Sequence, residues 1–218
     1  MQLPNLHYIS QGETPQEHIN NIKNACSAGA TLVQLRLKNI SPKKVLKFAI
    51  EAKKITDHYQ TRLIINDHYR VAKEIKADGV HLGKTDTCPL IARKHLESWQ
   101  IIGGTANTIE DCELMLDKKV DYIGLGPFHF TKTKESLSPI LGLDGYKKII
   151  ETLDTTIPII AIGGITVDDA SQLLKTGIYG LASASTITKN FNTIGQFKKV
   201  LQNNTAEEKV WSPNQIVK

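Results

Sequence analysis

The chain has 218 residues, of which 40% are hydrophobic and 22% charged, and its formal net charge is +5. This composition is ordinary for a globular domain and excludes a chain dominated by disorder. The 27 basic residues are interleaved with 22 acidic ones, so we interpret them as solvated helix faces and expect no nucleic-acid partner.

Short β-rich segments alternate with longer amphipathic segments along nearly the whole chain. Eight strand and helix pairs are predicted, at residues 6–10 and 15–29, 32–38 and 41–59, 62–68 and 69–77, 79–83 and 88–97, 100–106 and 108–119, 121–127 and 143–153, 157–165 and 166–177, and 180–186 and 193–202. Eight such units with short connections predict an α/β fold, a (β/α)8 TIM barrel, with a doubly wound sheet as the alternative. We predict a single domain, with the barrel over 1–203 and a C-terminal extension over 204–218.

The predicted helices carry start and stop signals where capping requires them. Ser41, Thr108 and Thr166 each stand just before an amphipathic segment, where a side-chain oxygen can accept from the first backbone N–H groups. Gly29 and Gly177 follow two of the segments, where a helix commonly ends in a left-handed residue. These signals support the division into eight units.

The three cysteines and the hydropathy pattern bear on where the protein acts. Cys26, Cys88 and Cys112 are odd in number and show no CxxC spacing, so we expect reduced thiols. No segment approaches the roughly 18 apolar residues of a membrane span, and the N-terminus lacks a signal-peptide pattern. We therefore expect a cytoplasmic protein without a membrane partner.

The second predicted strand, VQLRLK, has one polar face. Alternation with period two places three side chains on that face, Gln34, Arg36 and Lys38. Arg and Lys that point inward need anions, because an unpaired buried charge costs several kcal/mol. Two readings remain open: a structural network with Asp67 and Asp86, or a phosphate or diphosphate site for which Arg supplies a planar fork of donors.

The third and fourth strands end in polar side chains that lie at the same rim of a barrel. Asn66 and Asp67 end the third strand, and Asp86 follows the fourth. Two carboxylates together with substrate oxygens and water are a normal way to hold Mg²⁺. Beside a cationic diphosphate pocket, this pattern predicts a magnesium site.

A second anion site is predicted from the loops after the last three strands. The segment 131–134, TKTK, offers two hydroxyls and an ammonium, Gly163 and Gly164 allow close backbone approach, and 183–186 precedes the last helical segment. The loops after strands seven and eight are the recurrent phosphate site of these barrels. Two anion sites on one rim predict an enzyme with two phosphorylated substrates.

The histidines receive more modest interpretations. His81 alternates with two apolar neighbours, and we predict a hydrogen-bonded histidine of the barrel interior. His129, in the loop after strand six, could contact substrate. The sequence contains no GxSxG, P-loop or HExxH motif, so covalent catalysis has no obvious nucleophile.

Taken together, these segments resemble the thiamine phosphate synthase family, also called thiamine-phosphate pyrophosphorylase. The resemblance runs over about residues 6–200 and rests on the segments VQLRLK, LIINDHYRVAKEIKADGVHLGKTD, DYIGLGPFHFTKTK, GLDGY and IPIIAIGGI. It implies a (β/α)8 barrel and a transferase of thiamine biosynthesis. Such an enzyme joins hydroxymethylpyrimidine diphosphate to thiazole phosphate and releases pyrophosphate, with Mg²⁺ as cofactor and a dissociative mechanism.

The resemblance also implies roles for individual residues. The pyrimidine diphosphate would be held by Gln34, Arg36, Lys38 and Asn66. The Mg²⁺ ligands would be Asp67 and Asp86. The thiazole phosphate would be contacted by Thr131, Thr133, Gly164, Ala184 and Ser185. Thr105 stands where the family usually has a serine near the diphosphate, and Lys134 would reach back to the same group. The catalytic groups would be Arg36, Lys38, Thr105 and Lys134.

Two departures from the family pattern bear on the function. Leu37 replaces an acidic residue that often stands between the Arg and the Lys, and alternation turns it away from the pocket. Asn107 replaces a histidine common after strand five, which the related thiazole tautomerases use; since those enzymes also lack the acidic set, Asn107 together with Asp67 and Asp86 favours the synthase. A tautomerase-like isomerase and a non-catalytic phosphate-ligand binding protein remain the alternatives. The oligomeric state, with a homodimer among the options, stays open.

Overall fold

The structure is a computed structural model that describes residues 3–130 and 139–207, with side chains described to residue 203. Eight parallel strands close into a barrel in chain order, β1 to β8. The strands are β1 (Leu6–Ile9), β2 (Leu32–Leu35), β3 (Arg62–Asn66), β4 (Gly79–Leu82), β5 (Ile101–Ala106), β6 (Tyr122–Leu125), β7 (Ile159–Ile162) and β8 (Gly180–Ser183). The barrel prediction is confirmed, and the doubly wound alternative is wrong because the sheet is closed.

Helices follow the strands and surround the barrel. In the described ranges they are α1 (Pro15–Ser27), α2 (Pro42–His58), α3 (Tyr69–Glu74), α4 (Pro89–Arg93), α5 (Ile109–Asp117), α6 (Gly142–Thr152), α7 (Val167–Leu174), α8 (Ser185–Lys189) and α9 (Thr193–Glu207). The predicted domain boundary at 203 falls inside α9, and the C-terminal extension over 204–218 stays a prediction. No helix in the described part of the chain is long and apolar enough to cross a bilayer.

The predicted capping signals act as the sequence indicates. The Ser41 hydroxyl accepts from the N–H of Lys44, and Thr108 caps α5. At α7, both the N–H and the hydroxyl of Thr166 donate to one carboxylate oxygen of Asp169. Two of the predicted helix ends, Gly29 and Gly177, have φ values of 94° and 90°. The confirmed caps explain why the unit boundaries were readable from the sequence.

Two apolar layers hold the barrel together, one on each side of the strands. The outer layer packs helices against strand residues such as Val33 and Leu35, and Leu37 in the following loop joins the same layer. The smaller inner layer fills the barrel with alternate residues, including Leu32, Ile64, Tyr122, Ile160 and Ala182. The inner layer occupies the inward positions of the strands, and polar side chains take inward positions near their C-terminal ends. These ends form the rim where the polar residues were predicted.

Several elements are shorter than the sequence predicted, and two differences bear on the site. β2 ends at Leu35 rather than residue 38, and the next backbone N–H, that of Arg36, donates to the Ser10 hydroxyl over 3.1 Å. That side-chain acceptor takes the place of a neighbouring strand, so Arg36 and Lys38 lie in the loop above β2. The short helix α8 is an additional element between β8 and α9.

Candidate active site

The acidic pair at the ends of β3 and β4 is brought into contact. The Asp67 backbone N–H donates to the carbonyl of His81 over 2.8 Å, in a conformation with φ of 63°. One carboxylate oxygen of Asp86 accepts from the N–H of Gly83 at 2.7 Å. Burial and a hydrogen bond with the Asp67 carboxyl raise the pKa of Asp86 above its ordinary value. Two carboxyl groups this close are unfavourable when both are ionised, so the site favours a cation.

Lys38 is the cation that the structure places at this pair. Its Nζ lies 2.5 Å from a carboxylate oxygen of Asp67, and the lysine side chain remains 43% exposed. An exposed ion pair contributes little to stability, typically about 0 to 1 kcal/mol. The contact resembles the structural network considered from the sequence, but its exposure leaves Lys38 free to exchange Asp67 for another anion.

Arg36 is tied to the first strand through its backbone. The Ser10 hydroxyl that accepts from Arg36 also lies 2.8 Å from Nδ1 of His18, and Nε2 of His18 lies 3.1 Å from the carbonyl of Gly12. Burial lowers the pKa of His18, and the charge of Arg36 acts in the same direction. The loop after β1 therefore sets the backbone of the half-buried Arg36.

Two buried amides lie below the charged groups. Gln34 alternates with the outward Val33 and Leu35 and is 2% exposed. Asn66 is 6% exposed, and its Nδ2 has no hydrogen-bond partner among the described residues. An unsatisfied buried donor costs about 1–3 kcal/mol. The Asn66 amide therefore suits an acceptor supplied by a ligand.

Thr105 reaches the same rim from β5. Its hydroxyl lies 3.0 Å from Nε2 of His81, and Nδ1 of His81 lies 2.9 Å from the phenol oxygen of Tyr122. The prediction that His81 is a hydrogen-bonded histidine of the barrel interior is confirmed.

The loops after β7 and β8 bring backbone groups that could bind a ligand to a second part of the rim. Gly164 has a φ of 70°, and a Cβ there would lie 2.8 Å from Cβ of His129. The carbonyl of Ile165 accepts from the hydroxyls of Ser183, at 3.2 Å, and Thr186, at 2.8 Å. These bonds join the glycine turn to the start of α8 at Ser185, where the first N–H groups of a helix lack intrahelical acceptors.

The loop after β6 is described only up to residue 130. The predicted ligands Thr131, Thr133 and Lys134 lie outside the described residues. Within the described part, Nε2 of His129 lies 3.2 Å from a carboxylate oxygen of Asp169. His129 therefore faces the start of α7, beside the glycine turn.

Asn107 serves the backbone. It is buried, and its Nδ2 donates to the carbonyl of Gly126. Its own N–H donates to a carboxylate oxygen of Asp111 over 2.9 Å. An amide in this position carries no titratable proton for an isomerisation.

Two open clefts lie on the described surface, and only one of them borders the site. One of about 320 Å³ borders Asp67 and is lined by Pro42, His68 and Thr87 among others. Another, of about 640 Å³, is lined mainly by charged side chains of α3 and by Trp99. Trp99 lies two residues before the start of β5, so the second cleft lies toward the N-terminal ends of the strands, at the opposite end of the barrel from the rim.

Sequence reasoning missed Ser10, His18 and Tyr122. Ser10 stands at the end of the first strand and carried the same signal as Asn66, a polar residue at a strand end. The pairing of Tyr122 with His81 depends on cross-strand register, which the sequence alone does not set.

Fold and rim together define a class of protein, a (β/α)8 barrel whose polar and glycine groups gather at the C-terminal ends of the strands. A family model described as thiamine monophosphate synthase matches residues 6–187. The thiamine-phosphate synthase of Flavobacterium psychrophilum is 45% identical over 202 residues, 90% of this chain and 98% of that protein. That of Bacteroides fragilis is 38% identical over 199 residues, with coverage of 90% and 98%.

A solved structure adds the same relationship in three dimensions. The thiamine phosphate pyrophosphorylase of Pyrococcus furiosus superposes with a TM-score of 0.77 at 28% identity, covering 91% of this chain and 96% of that one. The chain belongs to the thiamine monophosphate synthase family, as the sequence motifs predicted.

Proposed function

We propose that this chain is a thiamine-phosphate synthase, a transferase that joins hydroxymethylpyrimidine diphosphate to thiazole phosphate and releases pyrophosphate. The observation that carries the proposal is the contact between Asp67 and Asp86, with Lys38 paired to Asp67 and the unsatisfied amide of Asn66 one residue before Asp67. This arrangement joins a site for a cation to donors for an anion, which a metal-bound diphosphate requires.

The diphosphate substrate lies over the ends of β2 to β5. Arg36 and Lys38 supply positive charge from the loop above β2, and Lys38 exchanges its contact with Asp67 for the diphosphate. Gln34 and Asn66 supply amide groups from below, and Thr105 supplies a hydroxyl. Lys134 adds a further cation from the loop after β6.

The acidic pair fits a magnesium ion. The described ranges hold no group of three or more His, Cys, Asp or Glu side chains that could bind a metal ion, so Asp67 and Asp86 would hold the ion together with substrate and solvent oxygens. When bound, the ion supplies positive charge to the departing pyrophosphate. Burial and the neighbouring Asp67 carboxyl raise the pKa of Asp86, and a bound cation would favour its ionised form.

The thiazole phosphate lies over β7 and β8. Gly164, with a φ of 70°, lets a ligand approach its backbone closely, and the backbone of Ala184 and Ser185 offers N–H groups at the start of α8. Thr131 and Thr133 complete this site with their hydroxyls. Because this site uses backbone donors, it requires no metal.

The proposed reaction breaks the bond between the pyrimidine methylene carbon and the diphosphate oxygen, and the electron pair leaves with pyrophosphate. Arg36, Lys38 and Lys134 stabilise the leaving group, and the ring carries the resulting positive charge. The thiazole nitrogen then forms the new bond with its lone pair. Positioning of the two substrates on one rim and stabilisation of the leaving group supply most of the rate, and no general base is required.

The rival functions differ in what they require. A tautomerase-like isomerase would move a proton within one substrate, and the buried amide of Asn107 offers no group for that step. A phosphate-ligand binding protein would bind without turnover. Both substrates of the synthase carry phosphate groups, which do not cross membranes unaided, and this supports action in the cytoplasm.

The test is an assay of the purified protein with both substrates, with each one omitted in turn, and with and without Mg²⁺. We expect thiamine phosphate, identified by its mass, only when both substrates and Mg²⁺ are present. Binding of both substrates without product would favour the binding protein, and conversion of the thiazole alone would favour the isomerase.

A further inference from the structure

A buried chain of hydrogen bonds runs from the barrel interior to the rim. The phenol oxygen of Tyr122 lies 2.9 Å from Nδ1 of His81, and Nε2 of His81 lies 3.0 Å from the hydroxyl of Thr105. Tyr122 is 1% exposed and His81 is 9% exposed. Thr105 is only half-buried, so this chain of hydrogen bonds ends at a side chain that a ligand can reach.

Glycine residues on β5 and β6 leave room in the barrel for the side chains of His81 and Tyr122. In the register of β4 to β6, His81 pairs with Gly103, Gly103 pairs with Tyr122, and Thr105 pairs with Gly124. A Cβ at Gly103 would lie 2.1 Å from Cζ of Tyr122, and one at Gly124 would lie 3.1 Å from Cε1 of His81. The two aromatic side chains therefore occupy space that any larger residue would take.

The direction of the hydrogen bonds starts from the phenol. Burial raises the pKa of Tyr122 well above its ordinary value, so the hydroxyl keeps its hydrogen. Nδ1 of His81 is the one hydrogen-bond partner of this phenol among the described residues. If the phenol only accepted, its own hydrogen would be buried and unsatisfied, which costs about 1–3 kcal/mol. The phenol therefore donates to Nδ1.

An Nδ1 that accepts from the phenol determines which nitrogen of His81 donates to Thr105. A neutral imidazole has one donor and one acceptor nitrogen, so an Nδ1 that accepts leaves the hydrogen on Nε2. Nε2 then donates to the Thr105 oxygen, and the hydrogen of the Thr105 hydroxyl points elsewhere. With the opposite tautomer, Thr105 would donate to Nε2 and present only lone pairs to an anion.

We propose that His81 is a positioning residue, held by Tyr122 in the Nε2–H tautomer, which makes the Thr105 hydroxyl a hydrogen-bond donor toward the bound diphosphate. The ligand in this statement rests on the proposed function; the hydrogen-bond polarity rests on the geometry and burial of Tyr122, His81 and Thr105. Ionised diphosphate oxygens only accept hydrogen bonds, so a hydroxyl fixed as a donor suits this substrate class.

The first test is independent of any substrate. Nitrogen-15 NMR of the full protein labelled at histidine, at pH 8, reports which ring nitrogen of each histidine carries the hydrogen, and the His81 signals are assigned by their loss in His81→Gln. We expect a protonated Nε2 and an unprotonated Nδ1 for His81. A protonated Nδ1 with an unprotonated Nε2 would overturn the proposal.

The second test is a double-mutant cycle that measures the affinity for inorganic pyrophosphate with Mg²⁺ by calorimetry. Thr105→Val should weaken binding roughly tenfold or more, as expected for a lost hydrogen bond to a charged oxygen. Tyr122→Phe should weaken binding in the wild-type protein and have no further effect in the Thr105→Val background. Tyr179→Phe is the matched control, because that phenol donates to the carbonyl of Leu3 at the other end of the barrel. The affinity of this variant for pyrophosphate with Mg²⁺ should be unchanged.

Additive effects of the two substitutions, or an unchanged affinity in Tyr122→Phe, would overturn the role of the chain in binding. If Tyr122→Phe does not fold, the NMR measurement on the wild-type protein still decides the tautomer. A wild-type protein that binds no pyrophosphate but shows the Nε2–H tautomer would contradict the proposed function and leave the hydrogen-bond polarity standing.

Discussion

Asp67 shows how a single residue can be specified by its backbone as well as by its side chain. It has a φ of 63°, a conformation in which Asp and Asn are several-fold enriched among residues other than glycine. This turn directs the carboxyl toward Asp86, while the backbone N–H remains bonded to the carbonyl of His81. A substitution at this position therefore tests the carboxylate only if the replacement tolerates the same turn.

Asp67→Asn meets that condition, since Asn tolerates the left-handed region. Asp86→Asn keeps the local contact, since its amide oxygen can still accept from the N–H of Gly83. We expect each variant to raise the Mg²⁺ concentration for half-maximal rate on the order of tenfold, because a neutral amide is a poorer ligand for a hard cation. Asp57→Asn, in an exposed pair with Lys53 on α2, is the control. Unchanged metal dependence in both site variants would make the carboxylates structural.

Arg36→Ala and Lys38→Ala should each lower kcat roughly a hundredfold, the usual effect of removing one contact to charge that develops in the transition state. The fold should persist, because Arg36 contacts Ser10 through its backbone N–H and Lys38 is exposed. Lys53→Ala serves as the matched control for loss of one lysine. Steady-state kinetics with circular dichroism check both points, and wild-type rates in either site variant would contradict the leaving-group role.

His7 makes stability depend on pH. Its side chain is buried in the barrel, its Nε2 has no partner among the described residues, and burial lowers its pKa from 6.5 to about 3. The unfolded chain therefore binds a proton between these values that the folded protein does not. The stability contributed by neutral His7 is fully present above pH 6.5 and is lost as the pH falls toward 3.

The expected result is a stability slope that differs between the wild-type protein and His7→Gln. Between pH 6 and pH 5 the wild-type free energy of unfolding should fall by about 1.2 kcal/mol more than that of the variant. Urea titrations at each pH measure the difference. Parallel slopes would mean that His7 is protonated in the folded protein.

At the scale of the element, the loop after β7 is defined by a glycine turn. Gly164 has a φ of 70°, and a Cβ would meet Cβ of His129 at 2.8 Å. Gly164→Ala should therefore shift this turn and weaken the binding of thiazole phosphate, while the affinity for pyrophosphate with Mg²⁺ is unchanged. Gly195→Ala on α9 is the control, because a Cβ there meets nothing within 4 Å. Equal affinity of both variants for thiazole phosphate would contradict the assignment of this turn.

The elements also show how far the sequence predicts this structure. Alternating periods and caps at Ser41, Thr108 and Thr166 were sufficient to predict eight units, because these signals are local. The end of β2 was not predictable, since it depends on a distant hydroxyl, that of Ser10. The candidate site was predicted as far as its residues follow strand ends. The Tyr122 contact was missed because it arises only from the register of β4 to β6.

At the scale of the whole molecule, closure of the barrel is what brings two anion sites onto one rim. β1 pairs with β8 as well as with β2, so the loops after β7 and β8 lie on the same circle as those after β2 to β4. An open sheet would separate them at opposite edges. The proposed synthase activity depends on this closure, because the two substrates must meet across the rim.

The most direct test of two separate anion sites on the rim is a crystal structure of the protein with pyrophosphate, Mg²⁺ and thiazole phosphate. We expect pyrophosphate beside Arg36, Lys38 and Asn66 with the metal on Asp67 and Asp86, and the thiazole phosphate group at Gly164 and the start of α8. Both ligands at one of these positions, or pyrophosphate bound away from the acidic pair, would contradict the division of the rim on which the proposed function rests.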